Sequence, residues 1–146
     1  GTENVLGIID FGFVAGNHLS RVSENFEKTA IVKGVFLDNL DKRFIKIISG
    51  ETSSPYIVSF SAKGLRGEVI IHMLEEYDVI AGTGSACSSR QRHSRVLKNC
   101  GYGGDVLDGA IRISFSDKST ESEATFAAEK ISECIKKLKG VMDRNI

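Results

Sequence analysis

The sequence predicts one α+β domain with a small, mostly antiparallel sheet covered by helices on one face. Runs of β-branched and aromatic residues at 44–48, 56–60 and 110–115 are typical of strands. Residues at both ends of the chain carry apolar side chains at helical spacing. The 146 residues are 41% hydrophobic, which is enough for one core. We expect residues 1–43 to form a helical connector and residues 44–146 the small domain.

Apolar residues at 5–26 and 31–40 predict two long helices at the start of the chain. Leu19, Val22 and Phe26 follow one another at spacings of three and four, which is the stripe of an amphipathic helix. Such helices could connect the domain to a preceding part of a longer protein, or they could form a plain helical hairpin. The sequence leaves both interpretations open.

The middle of the chain alternates between strand and helix patterns. Gly50 and Pro55 lie between the first two predicted strands, so the strands are expected to be neighbours. Residues 68–76 predict a short helix that contains His72. A single histidine in such a helix is more often exposed or satisfied in the core than catalytic.

A small, polar segment, 82–92, carries Cys87 between a predicted short buried strand at 78–81 and a predicted helix at 93–100. Connections of this kind carry function, and the arginines that follow Cys87 could favour its reactive thiolate. The alternative is a small buried hydrophobic cysteine. The sequence spacing of Cys87 and His93 does not establish the geometry of a nucleophile and its base.

Arg112 lies within a predicted strand at 110–115, between isoleucines. An arginine there is costly unless an anion meets it, and its planar fork suits a carboxylate. The alternative is an arginine that faces solvent on the open side of a two-layer domain.

Two further predictions concern the end of the chain. Residues 101–104 are expected to form a helix cap, with Gly101 left-handed, and a loop, which leaves Cys100 a structural role. Thr120 and Glu123 match a capping box that opens the last helix, which places Cys134 on its core side.

Composition excludes several classes of function. Lys plus Arg and Asp plus Glu both total 19, so no global charge attracts nucleic acid. No apolar run is long enough to span a bilayer, and a secretory signal is not recognisable. Three cysteines without CxxC spacing fit neither a disulfide framework nor a metal site. We therefore expect a cytoplasmic protein in a reducing compartment, without membrane or direct nucleic-acid partners.

Three ordered motifs resemble the C-terminal domain of the cysteine desulfurases, the NifS/IscS-like branch of the class V pyridoxal-phosphate enzymes. They are Gly84-Ser85-Ala86-Cys87-Ser88-Ser89, Ser94-Arg95-Val96-Leu97 and Ile111-Arg112-Ile113-Ser114. The opening Gly1-Thr2-Glu3-Asn4 resembles the start of the same region. The resemblance covers nearly the whole chain and implies the small domain of a fold-type I enzyme, with residues 1–43 leading from a cofactor domain.

The resemblance also implies a chemistry. Pyridoxal phosphate in the large domain would labilise the sulfur of L-cysteine, Cys87 would accept that sulfur as a persulfide, and L-alanine would leave. Arg112 matches the arginine that holds the substrate carboxylate. Thr2 matches the threonine that reaches the cofactor phosphate of the other subunit in a homodimer. Acceptors in the family include iron–sulfur scaffold proteins and tRNA-thiolating enzymes.

The sequence departs from the complete enzyme because no lysine follows a histidine, as the cofactor lysine of the family does. Lys63, in Ser61-Ala62-Lys63-Gly64, is a superficial echo of that motif. We therefore expect the isolated chain to be inactive. The rival interpretations are the small domain of a class V aminotransferase or selenocysteine lyase, which would not need a persulfide on Cys87, and a non-enzymatic interaction domain.

Overall fold

The computed structural model describes residues 1–84, 93–142 and 144. In these parts of the chain, helices flank a three-stranded antiparallel sheet of order β1-β2-β3. The strands are β1 (Ile45–Ile47), β2 (Ile57–Ala62) and β3 (Ala110–Ser114). The helices are α1 (Val5–Leu19), α2 (Val22–Asn39), α3 (Gly67–Glu75), α4 (Arg95–Asn99), α5 (Gly104–Asp108) and α6 (Glu121–Met142). The predicted α+β fold is confirmed.

The sheet has one face toward the core and one face that carries polar residues. Val58 and Phe60 of β2 are buried beside Ile111 and Ile113 of β3, on the face that α2, α3 and α6 cover. Side chains alternate along a strand, so Arg112 points to the opposite face. The alternation expected in residues 110–115 is therefore present, and it separates the structural side of β3 from the side available for function.

α6 begins at the predicted capping box. The Thr120 hydroxyl accepts a hydrogen bond from the Glu123 N–H at 3.2 Å, and the Glu123 carboxylate accepts one from the Thr120 N–H at 2.8 Å. These bonds favour the charged carboxylate and lower the pKa of Glu123. Cys134 lies on the buried side of α6, as predicted, and burial raises the pKa of its thiol.

The two N-terminal helices differ in how much of their surface the rest of the domain buries. α2 contributes Val32 and Phe36 to the core and packs on α6, whereas α1 buries no residue. Leu19 and Val22 are each more than half exposed because the helix breaks at Ser20 and the described residues cover neither side chain. The connector assigned to residues 1–43 stays a prediction.

One local expectation beside the cysteine segment is wrong, and a second is right except at one residue. Residues 78–81 are not a buried strand: Asp78 has a left-handed φ of 57°, and Ile80 is 90% exposed. The cap and loop expected at 101–104 are present up to Gly103, but Gly104 already begins α5, which is too short for a periodic pattern to reveal. By contrast, Gly101 has the expected left-handed conformation, with φ 84°, at the end of α4.

Gly34 offers a test of the backbone in α2. A Cβ atom there would meet nothing within 4 Å, and a glycine inside a helix carries an entropy cost. We expect Gly34→Ala to raise the free energy of unfolding by about 0.5–1 kcal/mol. Urea denaturation of the 146-residue chain measures this change.

Gly67→Ala is the contrasting variant, because its Cβ would lie 2.6 Å from the Ala110 carbonyl oxygen. This variant should be destabilised. A loss of stability in the Gly34 variant as well would contradict the open environment described for α2.

Candidate functional site

Arg112 occupies the centre of β3, between two small residues on the polar face of the sheet. Its Cα pairs with Ser59 of β2 on one side and with Gly82 on the other. The Arg112 N–H donates to the Gly82 carbonyl at 2.6 Å, and the Gly82 N–H donates to the Arg112 carbonyl at 3.0 Å. Both Arg112 backbone groups thus point away from β2. Ser59 and Arg112 therefore form a non-hydrogen-bonded pair, in which side chains lie closest together.

The Arg112 guanidinium lacks a partner within the described residues. Its Nε atom is buried without a hydrogen bond, and Arg112 forms no described ion pair, although the side chain as a whole is partly exposed. Leaving a charged donor unpaired is costly, and a planar guanidinium binds a carboxylate or phosphate through two parallel bonds. Arg112 is therefore the described group best suited to bind an anion.

Gly82 provides the space that the guanidinium occupies. A Cβ atom at position 82 would lie 3.8 Å from Arg112 Nη2, which is contact distance, so a longer side chain would crowd the cation. The backbone pair with Arg112 fixes Gly82 beside β3. The segment that leads to Cys87 consequently leaves the domain next to the cation.

The other end of that segment is also attached near β3. His93 Nε2 lies 2.8 Å from Asp108 Oδ1, and the two side chains are 32% and 33% exposed. Asp108 ends α5 and is followed by Gly109 and β3. Gly82 and His93 are thus both held by the short stretch 108–112. Both ends of the cysteine segment are therefore anchored to β3 or to the residues just before it.

Cys87 lies outside the described residues, so its predicted role stays a prediction. The other two cysteines are both free thiols. Cys134 is buried in the core, where it is inert, whereas Cys100 is exposed at the end of α4, with no contact that requires a thiol there. The structural role expected for Cys100 has no support in these contacts.

The remaining candidates form no described hydrogen bond or ion pair with Arg112. His72 is exposed on α3, 3.5 Å from the Glu75 carboxylate, in agreement with the exposed alternative. His93 has Asp108 as its described partner, and its distance from Cys87 is not described. Lys63 follows β2 in an exposed turn. Thr2 is exposed before α1 and forms no described contact.

The described residues form neither a metal site nor a membrane span. Within residues 1–84 and 93–142, no cluster of three or more histidine, cysteine or acidic side chains has the arrangement to hold a metal ion. No helix in that described part combines the length and apolar character needed for a membrane span.

Sequence reasoning found Arg112 but missed the three residues arranged around it or linked to it. Gly82 and Ser59 become its neighbours only through strand pairing, and Asp108 meets His93 only after α5 has formed. The alternation along 110–115 predicted the face of the sheet on which Arg112 lies. No sequence pattern predicted which residues pair with Arg112 on the neighbouring strands.

Comparison with known proteins extends this description. No family model matches the chain. Cysteine desulfurase 1 of Trichormus variabilis is 31% identical over 150 aligned residues, which cover 97% of this chain and 36% of the relative. Cysteine desulfurase IscS of Clostridium botulinum is 28% identical over 141 residues, which cover 92% of this chain and 36% of the relative.

The chain matches the C-terminal domain of cysteine desulfurases. It spans little more than a third of the curated desulfurases that it matches. A solved NifS-like protein superimposes with a TM-score of 0.76 at 26% identity, over 93% of this chain and 35% of that protein. The expected small domain of a fold-type I pyridoxal-phosphate enzyme is thereby confirmed.

The same fold occurs in solved structures with other names. A putative sugar aminotransferase from Streptococcus pneumoniae has a TM-score of 0.64 at 13% identity, a likeness that shows the fold alone. The domain therefore shares its architecture with a protein named as an aminotransferase, while its sequence similarity is to desulfurases.

Proposed function

We propose that this chain is the C-terminal part of a cysteine desulfurase that converts L-cysteine to L-alanine and transfers the sulfur to Cys87. The observation that carries the proposal is the Arg112 cation, which has no partner among the described residues and lies beside Gly82, the residue from which the segment with Cys87 continues. The similarity to desulfurases over nearly the whole chain supports it.

Arg112 has the properties needed to hold the α-carboxylate of the substrate. The guanidinium is permanently charged, and its fork matches both carboxylate oxygens. Backbone pairing with Gly82 and strand pairing with β2 fix the base of the side chain. The substrate carboxylate would provide the anionic partner that no described residue provides for Arg112. The charge is therefore in place before substrate arrives, so little reorganisation is needed.

The cofactor requires residues outside this chain. Thr2 is the one residue that the family pattern assigns to the cofactor phosphate, and its exposed hydroxyl is compatible with that contact. The most buried described lysine, Lys33, donates to Ser53 and Ser54 and is not available for a cofactor. Pyridoxal phosphate, when bound, serves as the electron sink for chemistry at the substrate carbon. The chain itself supplies a carboxylate-binding cation and a thiol.

The sulfur transfer balances without another reactant. The Cys87 thiolate attacks the sulfur of the substrate, and an S–S bond forms as the C–S bond breaks. The electron pair of the broken bond stays with the substrate carbon, which takes up a proton and leaves as part of alanine. Cys87 ends as a persulfide. The sum is L-cysteine plus a thiol giving L-alanine plus a persulfide, so no external oxidant is involved.

The parent enzyme is further proposed to be a cytoplasmic homodimer that passes the persulfide sulfur to an acceptor protein, either an iron–sulfur scaffold or a tRNA-thiolating enzyme. Free thiols at Cys100 and Cys134 support a reducing compartment. Attack by an acceptor thiolate on the outer sulfur is the chemistry that would release it.

Mass spectrometry of the full-length parent tests the proposal. The protein is loaded with pyridoxal phosphate, given L-cysteine, blocked with an alkylating reagent and digested. We expect one added sulfur on the peptide that contains Cys87, and none on the peptides of Cys100 and Cys134.

Cys87→Ala should lose both the added sulfur and alanine formation. Continued formation of alanine by this variant would contradict the persulfide and favour a relative that does not use the thiol, such as a selenocysteine lyase. Formation of a keto acid without sulfur release would favour an aminotransferase.

A further inference from the structure

The first helix presents apolar side chains that the rest of the described chain does not cover. Each of its large apolar residues is more than half exposed, and none of its residues is buried. These exposed residues are Val5, Leu6, Ile8, Ile9, Phe11, Phe13, Val14 and Leu19. A lone exposed apolar residue is ordinary, whereas a whole helix of them marks a surface that is covered in the functional protein.

The apolar residues surround the helix instead of forming one stripe. At about 100° per residue, Val5, Leu6, Val14, Phe11 and Ile8 follow one another around the axis, and no sector wider than about 80° lacks a large apolar side chain. Asp10 is the single carboxylate of α1. A helix that is hydrophobic all round is stable in water only when it is enclosed.

The contrast with α6 shows that this pattern is particular to α1. α6 buries one side, including Ala128, Ile131 and Ile135, and presents charged residues such as Lys130 and Glu133 elsewhere. It needs neighbours on one side only, which α2 and α3 supply. α1 needs neighbours on every side.

We propose that α1 is a core helix of the adjoining domain, enclosed in the parent enzyme by the part of the polypeptide outside this chain. The proposal rests on the proposed function because it takes the chain to be the C-terminal part of a longer desulfurase. Matched desulfurases extend well beyond the 36% that aligns with this chain, so a body large enough to enclose a helix is available.

Other occupants fit the residues less well. The α1 helix of a second copy could cover one side and would leave the opposite side in water. A membrane surface requires a helix with a charged polar face, which α1 lacks. On this proposal, the small domain begins at α2, after the break at Ser20, and α1 belongs structurally to its neighbour.

Cysteine scanning tests the enclosure. Leu6→Cys, Ile8→Cys, Phe11→Cys and Val14→Cys sample directions around the helix, and Lys118→Cys, at an exposed polar position, is the control. Alkylation rates are measured by peptide mapping in the parent and in the 146-residue chain. We expect all four α1 sites to react at least about 100-fold more slowly in the parent, because an enclosed thiol reacts only when the structure opens. The control should react equally in both proteins.

Three outcomes would overturn the proposal. Protection on one side of α1 would indicate docking on a flat surface, and no protection would indicate an exposed helix. Protection in the 146-residue chain that grows with concentration and equals that in the parent would indicate a second copy. Hydrogen exchange of the α1 amides in the unsubstituted parent gives the same comparison if a variant does not fold. The Cys87 persulfide in that parent is read separately, so failure of one proposal is distinguishable from failure of the other.

Discussion

Replacing Arg112 with lysine in the full-length enzyme is expected to lower kcat/KM for L-cysteine by about 10- to 100-fold, mainly through KM. The substitution keeps the charge but loses the planar fork, and a hydrogen bond to a charged group contributes about 1.5–3 kcal/mol. A larger fall is expected for Arg112→Met, which removes the charge as well. Steady-state kinetics with alanine or sulfide as the readout measures the change.

Ser114→Ala is the matched control, because Ser114 lies two residues further along the same face of β3 and is exposed. Its kinetics should stay within about twofold of those of the unsubstituted enzyme, consistent with a surface substitution of about 0.5 kcal/mol or less. An unchanged KM in both Arg112 variants would exclude Arg112 as the carboxylate-binding residue.

The stability of the Arg112→Met variant provides an independent readout. Arg112 Nε is buried without a partner in the described parts of the chain, and removing such a group relieves a desolvation cost. The isolated chain with this substitution should therefore unfold at the same or a higher urea concentration than the unsubstituted chain. Loss of activity without loss of stability is the signature of a residue retained for binding.

Gly109→Ala is expected to destabilise the domain by about 3 kcal/mol or more, the high end for crowding a packed site. Its Cβ would overlap the Ala62 carbonyl oxygen and would lie 2.8 Å from Ser61 Oγ. The Ala62 N–H also donates to the Gly109 carbonyl at 3.0 Å, so β2 cannot move away without losing that bond.

Urea denaturation of the 146-residue chain, with Gly50→Ala as the control, measures this cost. A Cβ at Gly50 meets nothing within 4 Å, so the control should change stability by about 0.5 kcal/mol or less. Equal stabilities of the two variants would show that β2 and the start of β3 do not approach each other as closely as the structure has them.

Periodicity predicted the elements whose burial follows from their own sequence. β3 alternates buried and polar residues, and α6 carries a capping box followed by a regular apolar stripe. Patterns of this kind do not specify what covers an apolar residue. Val79 and Ile80 therefore predicted a buried strand, although Ile80 is exposed and the pairing begins at Gly82.

The candidate site was predictable in its chemistry and unpredictable in its arrangement. Arg112 and Cys87 are the residue types that carboxylate binding and sulfur transfer require, and both are visible in the sequence. The approach of Gly82 to Arg112 depends on antiparallel pairing between residues distant in the chain. The His93–Asp108 contact likewise depends on the five-residue helix α5, which has too few turns for a periodic signal.

The stretch between Gly82 and His93 is fixed at both ends. Gly82 pairs with Arg112, and His93 contacts Asp108. When both ends of a connection are fixed by the body of a domain, doubling its length costs only about 0.6 kcal/mol of closure entropy. The three strands and the described core residues lie outside that stretch. An engineer could therefore replace this stretch with the corresponding one from a matched desulfurase without redesigning the domain that holds it.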